Sequence, residues 1–201
     1  MRDTPVLCQR DTQLTVRTVL RLANGCEGKR EIIFCGMAIK DALLPEFDHE
    51  MGTTRRLLER APAAEFAWTP HEKSFNLGQL ASHVSNIPHW CELILQTTVF
   101  DVLSAGDTRP KPPASAADLV SHFDKTVSAA RAGLSAAGDP ELLTPWTFSR
   151  GEQVMFTMPR IAAIRSFVMN HLIHHRGQLS VYLRLRNVPL PPMYGPTADE
   201  Q

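Results

Sequence analysis

The alternation of apolar and polar residues along this chain predicts four long amphipathic helices. In each of them apolar residues recur every three or four positions with polar or charged residues between them, which is the spacing of one buried helix face. Four apolar faces of this kind can bury one another, so the pattern favours a helical bundle. The expected helices cover residues 41–59, 76–95, 115–137 and 159–187.

Capping residues support the starts of two of these helices. Asn76 with Gln79 forms the Asn-x-x-Gln variant of a capping box, and Ser115 with Asp118 forms a second capping pair. Pro88 falls in the middle of the second helix, where a proline removes a backbone donor. We therefore expect the second helix to kink at this residue.

Two of the connections between the helices are unusual. Residues 97–115 are rich in Pro, Gly, Asp and Ser and form a crossover loop longer than most loops in compact domains. Residues 142–158, with Trp146 and Phe148, favour an extended or hairpin-like connection. The expected fold is all-α: a four-helix bundle with a long crossover loop and a short extended segment before the last long helix.

Residues 1–36 differ from the rest of the chain. They show no sustained period of either secondary structure and hold three of the four cysteines. We interpret them as an N-terminal extension, disordered or upstream of a true initiator at Met37, and residues 37–201 as the bundle. The alternative is a small N-terminal subdomain. Intact-mass analysis of natively expressed protein tests the extension hypothesis, because Met1 at the terminus would contradict a start at Met37.

Charge and composition argue against several classes of function. The 21 basic and 21 acidic residues balance, and no basic stripe predicts a nucleic-acid or anionic membrane surface. No apolar run reaches the roughly 20 residues of a membrane span, and no signal-peptide pattern is present, so a cytoplasmic location is expected. The cysteines show no CxxC spacing, which argues against a disulfide framework or a zinc ribbon. We therefore expect a small-molecule partner.

The candidate chemistry lies in the last predicted helix, where three of the eight histidines fall within five residues. His171 and His175 are four residues apart, so on a helix their side chains share one face, as in a two-histidine metal site. His174 is three residues from His171 and could pair with it instead. His174 and His175 point about 100° apart on a helix, so at most two of the three bind one ion.

A third ligand is available in the second predicted helix. His83 lies at the inner edge of that helix's apolar stripe. Three neutral imidazoles leave a divalent ion its charge and an open coordination position, which is typical of a catalytic site. Such an ion lowers the pKa of bound water to about 7 or holds a substrate thiol as thiolate. Because only neutral imidazole ligates, occupancy is expected to fall as the pH drops toward 5.

At these residues the chain resembles a known family. The run from Lys73 to His83 (KSFNLGQLASH), the run from Pro159 through His171 to Gln178 and the tail from residue 188 to residue 200 are similar to those of the DinB-like metal-binding four-helix bundles. The resemblance covers residues 37–201. It implies a divalent metal bound by one histidine of the second helix and the HxxxH pair of the last, which by motif are His83, His171 and His175.

The resemblance also implies a class of function. Characterised members of that family include bacillithiol transferases and mycothiol-dependent isomerases, and many members have no known reaction. For this chain it implies a metal-dependent enzyme that activates a thiol or a water nucleophile, as a thiol S-transferase, an isomerase or a hydrolase. The alternative is a non-catalytic metal- or ligand-binding bundle, or a dimerising scaffold. The expected metal is Zn or Ni, with Fe, Mn or Cu as alternatives. A low-molecular-weight thiol is the possible second cofactor, and a homodimer is the possible assembly.

Other polar residues in the predicted helices and loops have candidate roles near the histidines. Arg176 is interpreted as an ion-pair donor to a carboxylate of the first helix, with a substrate contact as the alternative, and Gln178 either as a hydrogen-bond partner of a metal-bound histidine or as a surface residue. His71, in the loop before the second helix, is interpreted as a local cap, with a role near the metal as the alternative. A di-iron carboxylate site is excluded because no Asp or Glu occurs between Glu152 and Asp199.

Overall fold

The computed structural model describes residues 36–105 and 113–200. The hypothesis about residues 1–36 falls outside these ranges, apart from Gly36, and stays a prediction. Residues 106–112, in the expected crossover loop, also lie outside the described part of the chain.

The described residues are mostly helical. A 3₁₀ turn precedes the second helix, and a π-helical segment joins the last two helices. The helices are α1 (Ile39–Leu58), α2 (Leu77–Asn86), α3 (His89–Gln96), α4 (Ala116–Ala136), α5 (Asp139–Leu142), α6 (Arg160–Ile164) and α7 (His171–Leu185), with the 3₁₀ turn at Ala63–Glu65 and the π-helical segment at Arg165–Asn170.

The long helices surround one hydrophobic core. Helix α1 packs against α4 and α7, and α2 packs against the same two helices. The apolar stripes that predicted the helices are the faces that meet, with Phe47 from α1, Leu80 from α2 and Phe123 from α4 all buried. This arrangement places the middle of α2 beside α7.

The second predicted helix is two helices, not one kinked helix. Its start is as expected, because the Asn76 side chain accepts from the Gln79 backbone and the Gln79 side chain accepts from the Asn76 backbone. Helix α2 ends at Asn86, and α3 begins at His89 after Pro88. Because Pro88 has no N–H to donate to the preceding turn, the chain separates into two helices at this point.

The expectation of an all-α chain is wrong in one region, because the described residues include a three-stranded sheet. Its strands are β1 (Val99–Asp101), β2 (Pro145–Arg150) and β3 (Gln153–Pro159), in the order β1-β2-β3. Strands β2 and β3 form an antiparallel hairpin. Gly151 has a φ of +60° at the first position of the two-residue turn, a conformation that glycine adopts without steric cost. The predicted extended segment is therefore this hairpin.

Strand β1 was not predicted because it has only three residues within a polar loop, too few to show a period. It pairs in parallel with β2. The Asp101 side chain holds this pairing at its end, since one carboxylate oxygen accepts from the Gly151 N–H at 2.7 Å and the Leu103 N–H at 3.0 Å. A tertiary hydrogen bond to the hairpin turn therefore helps to define the strand.

The last predicted helix is continuous from residue 160 to residue 185 but is not a regular α-helix throughout. The π-helical segment ends immediately before His171. A π turn holds more residues than an α turn, so the residues after it are rotated relative to a straight α-helix. Within α7 the fully buried positions are Leu172, Arg176, Leu179 and Leu183, and His171 and His175 lie half-buried at the edge of this stripe.

Two further observations complete the fold. The last helix ends at Leu185, two residues before the expected end at Asn187, which has a φ of +57° and lies two residues before Pro189. In the described ranges, no helix combines the length and the apolar character that crossing a membrane requires.

Candidate metal centre

Three histidines from two helices meet between α2 and α7. One ring nitrogen from each of His83, His171 and His175 lies within 4.8 Å of the other two. The ring centroids are 5.0 Å apart for His83 and His171, 4.5 Å for His83 and His175, and 4.6 Å for His171 and His175. All three side chains are half-buried, so the cluster lies at the rim of the core and not inside it.

Local sequence explains why these side chains meet. The capping box starts α2 at a defined residue, and His83 follows Asn76 by seven residues, which is about two helical turns. Its neighbours Leu80 and Val84 are buried, so the helix turns His83 toward α7. On α7, His171 and His175 are one turn apart and point to the same side.

The structure brings His175, and not His174, into the cluster. His174 is exposed, and its Nε2 atom lies 3.2 Å from Nε2 of Gln178. His71 also lies outside the cluster: it is exposed, and its Nδ1 accepts a hydrogen bond from the Lys73 backbone N–H at 3.1 Å. This contact caps the loop before α2, in agreement with the interpretation of His71 as a local cap.

Hydrogen bonds on the far side of two rings define their tautomers. His171 Nδ1 lies 3.3 Å from the Phe167 carbonyl oxygen, and His175 Nδ1 lies 2.7 Å from Oε1 of Gln178. The Phe167 carbonyl can only accept, and so can the Gln178 oxygen in this orientation of its amide, so in this arrangement each Nδ1 carries the proton and each Nε2 keeps its lone pair. The Phe167 contact could not be read from the sequence, because every residue has a carbonyl group and only the backbone path selects this one.

The third ring makes a hydrogen bond inside the cluster. Nε2 of His83 lies 3.2 Å from Nε2 of His171. Because His171 Nε2 is the acceptor, the proton between them belongs to His83. An ion held by the three rings would take the place of this hydrogen bond, and His83 would then carry its proton on Nδ1.

Burial favours the neutral form of all three rings. Burial, together with repulsion from the charged forms of His175 and His171, lowers the pKa of His83 to about 4. The pKa of His171 is lowered by burial and by His175, against the opposing contact with the Phe167 carbonyl. Burial also lowers the pKa of His175, against its hydrogen bond to Gln178. At neutral pH the cluster therefore presents uncharged imidazoles, the form that binds metal.

The geometry and the donor set fit a divalent ion. In a tetrahedral site with metal–nitrogen bonds of 2.0–2.1 Å, the ligand nitrogens are about 3.4 Å apart. The 3.2 Å between Nε2 of His83 and Nε2 of His171 is close to this value, and the ligand nitrogen of His175 lies within 4.8 Å of both. Among the described residues, no Asp, Glu or Cys joins this cluster. The donors are therefore three neutral nitrogens, which leave a position for a further ligand.

The residue beside the cluster has a structural role. Arg176 is buried and forms an ion pair with Glu50 of α1 at 2.7 Å. It also donates to the Glu50 carbonyl at 3.1 Å and to the Thr54 hydroxyl at 3.2 Å. The interpretation of Arg176 as an ion-pair donor to the first helix is confirmed.

Comparison with known proteins identifies the family. The family model described as the DinB family matches residues 37–201. The chain belongs to the DinB family. This confirms the family resemblance carried by the sequence motifs, and the matched range holds all three histidines of the cluster.

Relatives and solved structures agree with this assignment. The chain is 24% identical over 164 residues to the uncharacterized protein YrdA of Bacillus subtilis, across 80% of this chain and 90% of YrdA. It is similar to the crystal structure of a DinB-like protein from Bacillus cereus, with a TM-score of 0.61, 23% identity and coverage of 78% and 98% of the two chains. It is also similar to the DinB-like protein YjoA from Bacillus subtilis, with a TM-score of 0.59, 19% identity and coverage of 77% and 97%. At these identities the two structures show the DinB-like fold alone.

Proposed function

We propose that this DinB-family protein binds one divalent metal ion through His83, His171 and His175 and uses it to activate a thiol or a water molecule. The observation that carries the proposal is the convergence of three neutral imidazole nitrogens within 4.8 Å at a half-buried position. Neutral histidines that face one another in this way leave lone pairs without full partners, and an ion satisfies all three at once.

The residues divide the chemistry between them. His171 and His175 are held by hydrogen bonds at Nδ1, so their Nε2 lone pairs are already aimed, and His83 completes the set from α2. When bound, the ion supplies Lewis acidity, which lowers the pKa of a bound water to about 7 or keeps a bound thiol as thiolate. Zn or Ni is the first choice for three imidazoles, with Fe, Mn and Cu as alternatives. The proposed second partner is a low-molecular-weight thiol, consistent with a thiol S-transferase-like activity.

We also propose that the helices form a four-helix bundle of the kind expected for the family. The support is the contact pattern, in which α1 and α2 each pack against both α4 and α7. In such bundles metal sites are built from side chains on facing helices. The placement of His83 on α2 and the other two histidines on α7 follows this rule.

The second candidate function is non-catalytic metal or ligand binding. It is favoured by the composition of the cluster, since no carboxylate or thiol within the described part of the chain joins the three histidines as a base or nucleophile. Catalysis therefore requires that the nucleophile itself comes from solvent or from a small-molecule thiol.

Elemental analysis tests the metal site. Protein purified without chelator is expected to contain one equivalent of metal, and the His83→Ala and His171→Ala variants are expected to lose it. The matched control is His71→Ala, since His71 is exposed and outside the cluster. Stoichiometric metal that survives both substitutions would remove the assignment.

Transfer of a thiol to an electrophile tests the activity. Several low-molecular-weight thiols and a panel of hydrolytic substrates are assayed with the metal-loaded protein and the His171→Ala variant. Activity in the loaded protein alone supports the enzyme. Inactivity with every thiol and every hydrolytic substrate favours the binding function.

A further inference from the structure

The Gln178 side chain lies between His174 and His175, which helical spacing leaves as alternative partners of His171. Its Oε1 atom lies 2.7 Å from Nδ1 of His175, and its Nε2 atom lies 3.2 Å from Nε2 of His174. Gln178 follows these residues by three and four positions on α7, so the contacts are local to one face of the helix. Gln178 and His174 are exposed, whereas His175 belongs to the three-histidine cluster.

The two ends of the Gln178 amide differ in hydrogen-bonding chemistry, so its orientation determines which nitrogen of His175 carries the proton. A glutamine side chain can turn either its oxygen, which accepts, or its NH₂ group, which donates, toward a neighbour. If the oxygen faces His175 Nδ1, that nitrogen must carry the proton, and the Nε2 lone pair is free for the cluster. If the NH₂ group faces it, Nδ1 must accept, and the proton moves to Nε2, where it blocks ligation.

The contact with His174 fits the first of these orientations. When His174 Nε2 carries no proton it can only accept, and the Gln178 NH₂ group that faces it at 3.2 Å leaves the oxygen for His175. In this tautomer His174 supports the Nδ1–H form of His175 through Gln178, although it lies outside the cluster.

We propose that Gln178 is a positioning residue that holds His175 as its Nδ1–H tautomer, and that His174, unprotonated at Nε2, supports this orientation of the Gln178 amide. The benefit for metal binding rests on the proposed function, whereas the tautomer itself does not depend on any ion. Hydrogen bonds to the second ring nitrogen of metal-bound histidines typically change metal affinity by 10–100-fold. His174, which is not a proposed ligand, thus has a role in the same site.

The first test measures tautomers in metal-free, ¹⁵N-labelled protein at about pH 8, where imidazoles with ordinary pKa values are neutral. Long-range ¹H–¹⁵N spectra distinguish the protonated from the unprotonated ring nitrogen of each histidine. Wild type is expected to show His175 protonated at Nδ1. The Gln178→Leu variant is expected to shift His175 toward the Nε2–H form, because its Nδ1 loses the only acceptor that the structure gives it.

Two further variants separate Gln178 from His174. His174→Ala is expected to lower the Nδ1–H population of His175 by a smaller amount, since the amide can then turn either way. Gln178→Glu is expected to keep the Nδ1–H form even when combined with His174→Ala, because a carboxylate has no donating end. A merely structural role for Gln178 would not produce this rescue.

The second test measures Zn²⁺ affinity by competition with a chelator. Gln178→Leu is expected to weaken binding by roughly 10–100-fold and Gln178→Glu to preserve it. The matched control is Gln96→Leu, because Gln96 is an exposed helical glutamine whose side chain donates to Glu92 at 3.1 Å, outside the cluster. This control is expected to leave both the tautomer and the affinity unchanged.

The two tests fail in different ways. An unchanged His175 tautomer in Gln178→Leu overturns the positioning role, whether or not the protein binds metal. A shifted tautomer with unchanged Zn²⁺ affinity overturns its link to the metal. Wild-type protein that binds no divalent ion removes the proposed function and with it the purpose assigned to Gln178.

Discussion

Two neighbouring residues of α7, His175 and Arg176, belong to polar clusters that are completed in different ways. Arg176 is 1% exposed, and both of its terminal nitrogens donate to protein groups, namely Glu50, Thr54 and the Tyr194 hydroxyl. His175 is half-buried, and its outer nitrogen, Nδ1, lies 2.7 Å from Oε1 of Gln178. Its inner side faces His83 and His171, which offer further nitrogens and no carboxylate.

The difference shows how one helix supports structure and candidate chemistry on adjacent positions. A buried charge must be paired within the protein, or the fold loses several kcal/mol. A half-buried neutral imidazole tolerates an incomplete set of partners at lower cost, because water can supply part of what is missing. The Arg176 cluster is closed and joins α7 to α1, whereas the histidine cluster is open and can be completed by a ligand.

The largest expected effect comes from removing the Arg176 side chain from its buried cluster. Arg176→Met leaves the Glu50 carboxylate buried without its cation, so the free energy of unfolding is expected to fall by about 3–5 kcal/mol. Urea denaturation measures the change. The control is Arg131→Met, which removes the exposed Arg131–Asp48 pair between α4 and α1 and is expected to change stability little. Equal losses in the two variants would contradict the distinction between closed and exposed pairs.

The next effect comes from completing the open cluster. Zn²⁺ at a hundredfold excess over its dissociation constant is expected to raise the free energy of unfolding of wild type by about 2.7 kcal/mol, because the ion binds the folded chain alone. His171→Ala is expected to show no such increase. Thermal or urea unfolding with and without Zn²⁺ provides the measurement, and equal stabilisation of both proteins would indicate binding elsewhere.

Acidification is expected to affect the open cluster through His83. The pKa of His83 is about 4 in the folded chain and near 6.5 when unfolded, so between these values the unfolded chain holds a proton that the folded chain lacks. Stability in the presence of chelator is therefore expected to fall as the pH drops from 6.5 toward 4 and to level off below that range. His83→Gln is expected to flatten this part of the profile. An unchanged profile would show that other groups dominate.

The lowered pKa values also shift the expected release of metal. Protons compete less well for His83, His171 and His175 than for exposed imidazoles, since burial disfavours each charged ring. Metal content is therefore expected to fall below pH 6.5, with the loss displaced to lower pH than the reference pKa alone predicts. Elemental analysis after dialysis across this range measures it, and complete loss above pH 6.5 would oppose a three-histidine site.

The smallest effect is expected at the edge of the closed cluster. The Tyr194 hydroxyl donates to Glu50 at 2.9 and 3.0 Å, but the residue itself is largely exposed. Tyr194→Phe is expected to lower the free energy of unfolding by about 1 kcal/mol or less, since water can replace this hydrogen bond. A loss as large as that of Arg176→Met would make Tyr194 an essential part of the cluster.

Local signals in the sequence predicted much of the fold. The capping box at Asn76 and Gln79 and the cap at Ser115 were predicted correctly, because caps depend on residues within one turn. The division of the second helix at Pro88 and the three-residue strand β1 were not. Pro88 marks the interruption, but a proline alone does not distinguish a kink from a complete break. Strand β1 is defined by its partner β2 and by the Gly151 contact of Asp101, neither of which is local in the sequence.

The candidate site divides in the same way. Helix periodicity alone placed His171 on one face with a neighbour three or four residues away, and left His174 and His175 as alternatives. The π-helical segment before His171, the Phe167 carbonyl behind its ring and the turn of His174 toward Gln178 decide which nitrogens meet. No residue type encodes these features by itself.

Residues close together in the chain, or a motif, are sufficient to predict most of the helices with their caps, the HxxxH spacing and the resemblance to the DinB family. The family motif also implied that His83, His171 and His175 form one site. The packing of α2 against α7 shows how these three side chains meet, and it encloses Arg176 while His175 stays half-buried. Side chains 88 residues apart, such as His83 and His171, come within hydrogen-bond distance only through packing of apolar faces. Packing of the hydrophobic core therefore brings the nitrogens of the proposed metal site together.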